Sequence, residues 1–156
     1  MARRKVLFDG RGRGATVIEI DHGAEKISVN LQNLKNGPTK AKVGFSGDNA
    51  AKAVFNEMGV ASKNIPARPF MRTAFDEAKP RLLRERDKQA AAVVLKGKSQ
   101  SAALKALGVI LADEIKDQIE GWTTPPNAPS TVAKKGFNDP LVETGDMSDD
   151  VTIEID

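Results

Sequence analysis

The chain of 156 residues carries 24 Lys and Arg against 21 Asp and Glu, and 40% of it is apolar. That length suits one domain with a buried core, and a charged fraction of 29% is that of a globular rather than a disordered chain. With no Cys, one His, six Phe, one Trp and no Tyr, a disulfide framework and a thiolate metal site are excluded and the core must be mainly aliphatic. The missing cysteines suit a reducing cytosol. No apolar run approaches the ~20 residues of a bilayer span. The basic N-terminus lacks the apolar stretch of a secretory signal.

Residues 1–14 read as a basic Gly/Arg-rich arm, with Arg3, Arg4, Lys5, Arg11 and Arg13 against a single Asp9. Arginines spaced by glycines predict a flexible cationic segment suited to phosphates, without base readout. Thr16 to Ile20 and Lys26 to Leu31 alternate apolar and polar residues around Asp21-His22-Gly23, which predicts a hairpin. After the Asn36-Gly37-Pro38 break, Lys40 to Phe45 alternates again and reads as a strand. Ser46-Gly47-Asp48 offers capping chemistry for a helix over Asn49 to Met58 that stops at Gly59. Pro69 suits the start of the next helix, which runs to about Leu95 and ends at Gly97. Pro80 within it is expected to kink or divide it.

Ser99 or Ser101 caps a further helix reaching to about Gly121, in which Leu104, Leu107, Leu111, Ile115 and Ile119 form a core-facing stripe. Residues 122–148 follow as a long Pro-rich interaction loop, with Pro125, Pro126 and Pro129 close together and a second break at Asn138-Asp139-Pro140. Proline fixes φ and removes a donor, which excludes a long helix or a central strand there. Val151 to Ile155 is a strictly alternating strand. The expectation is a single α+β domain over residues 1–156. A small twisted mixed or antiparallel sheet of N-terminal strands and the C-terminal strand is packed by two or three helices, with the Pro-rich loop on one side.

The inventory argues against catalysis. The one histidine, His22, lies in an expected turn with no Ser elbow near it. Asp146, Asp149 and Asp150 lack the ligand ladder of a calcium loop. Asp76-Glu77 and Asp113-Glu114 are adjacent pairs that diverge on a helix. The Gly10 to Gly14 run lacks the following helix of a phosphate loop. No catalytic, cofactor-binding or metal-ligating residue is assigned, and no cofactor is expected.

Two groups of residues carry a resemblance. The first is Phe55-Asn56-Glu57-Met58-Gly59 followed by Ile65-Pro66-Ala67-Arg68-Pro69-Phe70. The second is Pro125-Pro126-Asn127-x-Pro129-Ser130-Thr131-x-x-x-Lys135-Gly136, then Pro140-Leu141-x-x-Thr144-Gly145-x-Met147. Together they resemble the virion-morphogenesis, or tail-completion, neck proteins of tailed bacteriophages, which join head to tail. The resemblance spans roughly Lys42 to Asp156. Met58 stands where that family has an aromatic, and Asp146-Met147-Ser148-Asp149 where a basic or Gln-rich tail is common.

The resemblance implies a structural protein rather than an enzyme. It implies a homo-oligomeric ring, six-fold in that family, between the head connector and the tail tube or terminator. The protein would be made in the host bacterial cytoplasm and reside in the virion neck, with no membrane partner. A tail terminator or a head-side stopper is the alternative within the same neck. A sequence-independent DNA-binding module is the alternative of another class. The interface candidates are Ile65, Pro66, Arg68, Pro69, Phe70, Trp122, Pro125, Pro126, Asn127, Pro129, Lys134, Lys135, Leu141, Thr144, Gly145 and Met147. Rigid extended segments lose little entropy on binding, which suits them to that role. Phe70 and Phe75 fall on different helix faces, one for the core and one for a partner. Arg3, Arg4, Lys5, Arg11 and Arg13 are the candidates for lining a DNA channel. The seven carboxylates after Lys135, with no Lys or Arg among them, oppose the basic start. These oppositely charged ends attract within one subunit, meet head-to-tail in a ring, or simply stay solvated.

Overall fold

A computed structural model describes residues 23–156 in full and, of the first 22, the chain course of 3–8 and 14–19. Strand β1 (Arg3–Phe8) pairs antiparallel with β2 (Gly14–Glu19), from Arg3 opposite Glu19 to Phe8 opposite Gly14. The basic arm expected to be flexible is thus partly a strand carrying Arg3, Arg4 and Lys5. Arg11, Arg13 and His22 lie outside the described residues.

The next element corrects the sequence reading. Lys26 to Leu31 is not the second arm of a hairpin but part of helix α1 (Ala24–Asn36), which follows the left-handed Gly23. Ile27, Asn30 and Leu34 are its half-buried positions, and their three-to-four spacing fits a helix as well as the 27/29/31 alternation fits a strand. Ala, Glu, Lys, Leu and Gln over thirteen residues then favour the helix. Asn30 Nδ2 ties it to the Val94 carbonyl at 2.9 Å.

Strand β3 (Ala41–Gly44) pairs antiparallel with β4 (Thr152–Ile155), in the register Ala41 to Ile155. Lys40 and Asp156 extend the ladder by exchanging backbone hydrogen bonds at 2.9 and 3.0 Å. The Lys42 ammonium bonds the Asp156 carboxylate, and that bond, followed by the carboxylate's charge, raises the Lys42 pKa. The C-terminal strand therefore joins β3 as expected. Among the described residues, however, the strands form two separate two-stranded sheets rather than one, because the segment expected to join them is α1.

Helix α2 (Gly47–Met58) leads through a short 3-10 turn at Ala61–Lys63 to the long α3 (Phe70–Lys96). Pro80 does not divide α3; the helix continues through it. Gly97, at φ 70°, ends it with N–H bonds to the Val93 and Ala92 carbonyls, a glycine-dependent helix stop. Ser99 Oγ accepts from Ala102 N at 3.2 Å and caps α4 (Gln100–Gly121). Helices α3 and α4 fold back on one another. Glu85 on α3 accepts from Gln89 and then Lys88, which together lower its pKa. The Pro-rich stretch is not a continuous loop. It holds α5 (Pro129–Lys135), with Pro129 in the first turn, and the single turn α6 (Asp146–Asp149).

The core gathers Ala53, Phe70, Ala74, Ile115, Ile119, Leu141 and Met147, with Phe45 edge-on to Phe70 at 6.0 Å between centroids. Of the predicted α4 stripe, Ile115 and Ile119 are buried while Leu104, Leu107 and Leu111 are half-buried. The molecule is α+β in class, helices dominating over small antiparallel sheets.

Candidate interface

The segments that carry the resemblance are bonded to one another through one side chain, Arg68. Its guanidinium donates from Nε to the Pro125 carbonyl at 3.0 Å and from Nη2 to the Pro126 carbonyl at 3.1 Å. Nη1 donates to Asn56 Oδ1 at 3.2 Å, and the Arg68 backbone N–H to the Asn56 carbonyl at 2.6 Å. Arg68 is 5% exposed. Burial pushes its pKa down, but a guanidinium starts so high that it remains charged. A buried cation needs its donors satisfied, and here carbonyl and amide oxygens satisfy them in place of a carboxylate.

The Asn-Glu-x-Gly block supplies the rest of the latch. Glu57 accepts from Met71 N at 2.9 Å and Arg72 N at 3.3 Å, capping the start of α3, where Pro69 offers no cap of its own. A carboxylate at a helix N-terminus satisfies free N–H groups and the dipole together. Gly59 closes α2 at φ 71°, and a Cβ there would sit 2.7 Å from Ala67 N. Only glycine tolerates both the angle and the approach. An antiparallel bridge between Val60 and Ile65 then aims the Ile-Pro-Ala-Arg-Pro-Phe segment back along α2.

The Pro-rich stretch is fixed by its own polar groups. Asn127 N donates to Asn138 Oδ1 at 3.0 Å, and Asn127 Nδ2 to the Asp139 carbonyl at 3.3 Å. Lys135 Nζ donates to the Asp139 carbonyl at 2.8 Å and also to that of Val142. Gly136, at φ 82°, stops α5, and Lys135 lies over the Phe137 ring at 4.8 Å.

The sequence-predicted interface residues divide by burial. Arg68, Phe70, Leu141 and Met147 are buried, so they anchor the segments to the body and cannot be gripped by another chain. Ile65, Pro69, Trp122, Pro125, Asn127, Lys135 and Gly145 are half-buried; Pro66, Pro126, Pro129, Lys134 and Thr144 are exposed. Trp122 packs on the core, and its indole N–H has no hydrogen-bond partner among the described residues. Phe70 is fully enclosed and Phe75 is 48% exposed, which matches the division of faces read from their spacing.

A groove of about 770 Å³ runs between α2, the latch and the C-terminal segment, with Lys52, Asn56, Ile65, Asn127, Leu141 and Asp146 along it. Asn49 lines it too. Its Nδ2 donates to the Asp150 carboxylate, while its buried Oδ1 has no partner among the described residues. Sequence reasoning assigned no role to Asn49, Lys52, Asn56 or Glu57. For Asn56 and Glu57 the available signal was their place in the Asn-Glu-x-Gly block that carries the resemblance. For Asn49 and Lys52 there was none.

Among the described residues, no group of three or more His, Cys, Asp or Glu is placed to hold a metal ion. No described helix is long and apolar enough to cross a membrane. No family model, curated protein or solved structure matches the chain.

Proposed function

We propose that this chain is a structural neck protein of a tailed bacteriophage, a tail-completion protein that forms a ring between head connector and tail. The observation that carries the reading is the Arg68 latch. The two sequence blocks that resemble that family lie 57 and 58 residues apart at their bonded atoms, yet Arg68 ties them into one rigid unit. A latch of this kind explains why the residue types Asn-Glu-x-Gly, Arg between prolines, and Pro-Pro-Asn belong together in one chain. Pro66, Pro126 and Pro129 are exposed on the tied segments. Stiff exposed segments of this kind bind a partner with little loss of conformational entropy. The reading gives the chain no chemistry of its own and makes the host cytoplasm its place of synthesis and the virion neck its destination.

The test is genetic and structural. Phage lacking the gene for this chain are expected to accumulate DNA-filled heads and complete tails unjoined, and purified protein added to the extract is expected to join them. Image reconstruction of joined particles should find the chain in a ring at the junction. Joined, infectious particles without it, or its absence from particles, would overturn the reading.

A further inference from the structure

Helix α3 carries an exposed stripe at helical spacing: Arg72, Phe75, Lys79, Leu83 and Arg86. Phe75 and Leu83 are 48% and 45% exposed, so two large apolar groups sit in water between three cations. Arg86 is paired with its neighbour Asp87 at 2.8 Å, and Asp76 lies on the flank. Among the described residues, the side chains of Arg72 and Lys79 form no ion pair. Helix α4 carries the complement on its outer face: Val109, Asp113, Asp117 and Glu120, all exposed, with the exposed Lys105 one turn before Val109 and the half-buried Lys116 on the flank. Val109 is 41% exposed. Glu120 accepts from Ser148 at 3.0 Å, which joins this face to the acidic turn α6. Asp113 and Asp117 form no ion pair among the described residues. Both stripes are open to solvent, so neither covers the other within one molecule.

We propose that these stripes are the two halves of one self-association interface, the basic–apolar face of α3 on one copy docking against the acidic–apolar face of α4 on the next. The complementarity is in sign, in spacing and in the apolar residues set among the charges. Engaged one pair at a time, such faces make a heterologous contact that builds rings or open chains, whereas both pairs engaged at once close a twofold dimer, and sedimentation separates the two. Opposed charges steer the encounter and fix the register, while Phe75, Leu83 and Val109 supply the apolar area. The inference rests on the neck-ring reading only for the ring; the pairing of faces stands on these residues alone.

The full chain tests it by sedimentation and light scattering. Two variants reverse one face each: Arg72→Glu/Lys79→Glu and Asp113→Lys/Asp117→Lys. All four side chains are exposed and outside the core, and circular dichroism checks that both variants fold. Each alone is expected to weaken association at least ~10-fold. An equimolar mixture is expected to recover it to within about 3-fold, since every contact between unlike copies then pairs opposite charges. Raising salt from 50 to 500 mM is expected to weaken wild-type association. A wild type that stays monomeric at about millimolar concentration, variants that associate like wild type, or a mixture without recovery would each overturn the proposal. So would loss of binding to a DNA oligonucleotide on reversing the α3 face with association unchanged. Self-association through these faces in a protein absent from phage particles would sink the neck reading alone. A neck ring that still forms with one face alone reversed would sink the pairing alone.

Discussion

Arg68 shows how far a residue's role can depart from its type. Flanked by Pro66 and Pro69, it reads as a rigid charge offered to a partner, because Arg is mostly exposed. In the fold it points inward and spends three donor nitrogens on Asn56, Pro125 and Pro126. Those acceptors come from elements that only tertiary folding brings near, so no local pattern names them. Replacing Arg68 with Met should leave these oxygens short of donors and cost about 2–4 kcal/mol of stability, read from urea unfolding. Arg68→Lys should recover only part of that, since an ammonium cannot reproduce the fork. A loss under about 1 kcal/mol for the Met variant would mean that water replaces the guanidinium without penalty.

Among the elements, α4 makes a paired prediction from its two described glycines. A Cβ on Gly108 would lie 2.6 Å from Ile153 Cγ2, the branch methyl of a β4 residue, and a β-branched side chain in a strand cannot swing aside. Gly108→Ala is expected to destabilise by about 1–3 kcal/mol despite its better helix propensity. Gly121, at the end of the same helix, has no neighbour within 4 Å of an added Cβ, so Gly121→Ala is expected to stabilise by about 0.4–1 kcal/mol. Equal effects in thermal unfolding would mean that β4 does not pack on α4 as described. Legibility varied between elements in the same way. Helices α2, α3 and α4 were bounded by Gly59, Gly97, Ser99 and Gly121, local signals that need no partner. Helix α5 was open to the same reading, with Pro129 in its first turn, Lys134 and Lys135 in its last and Gly136 after it, but the density of prolines masked it. Helix α1 has no buried residue, and its apolar residues fit a three-to-four spacing and a strand alternation alike, so nothing local separated helix from strand there.

For the whole molecule, the core cluster draws its residues from Ala53 to Met147, and β4 closes it from outside through Ile153 and the Lys40–Asp156 pair. Removing Val151 to Asp156 is therefore expected to cost several kcal/mol in urea unfolding, because it strips β3 of its partner strand and α4 of its cover. A loss under about 1 kcal/mol would place β4 outside the cooperative unit.

By itself the sequence determined what depends on near neighbours: the helix stops, the C-terminal strand, the division of Phe70 from Phe75, and the absence of any thiol chemistry. Each follows from backbone preference or from apolar spacing within one element. Only the tertiary structure decided that Arg68 and Met147 turn inward, that Glu57 caps a helix fourteen residues away, and that the opposed charge stripes of α3 and α4 both face solvent. These depend on which distant groups share a location. That is set by packing the whole chain around one core, where a buried charge is tolerated only where the fold brings oxygens to meet it.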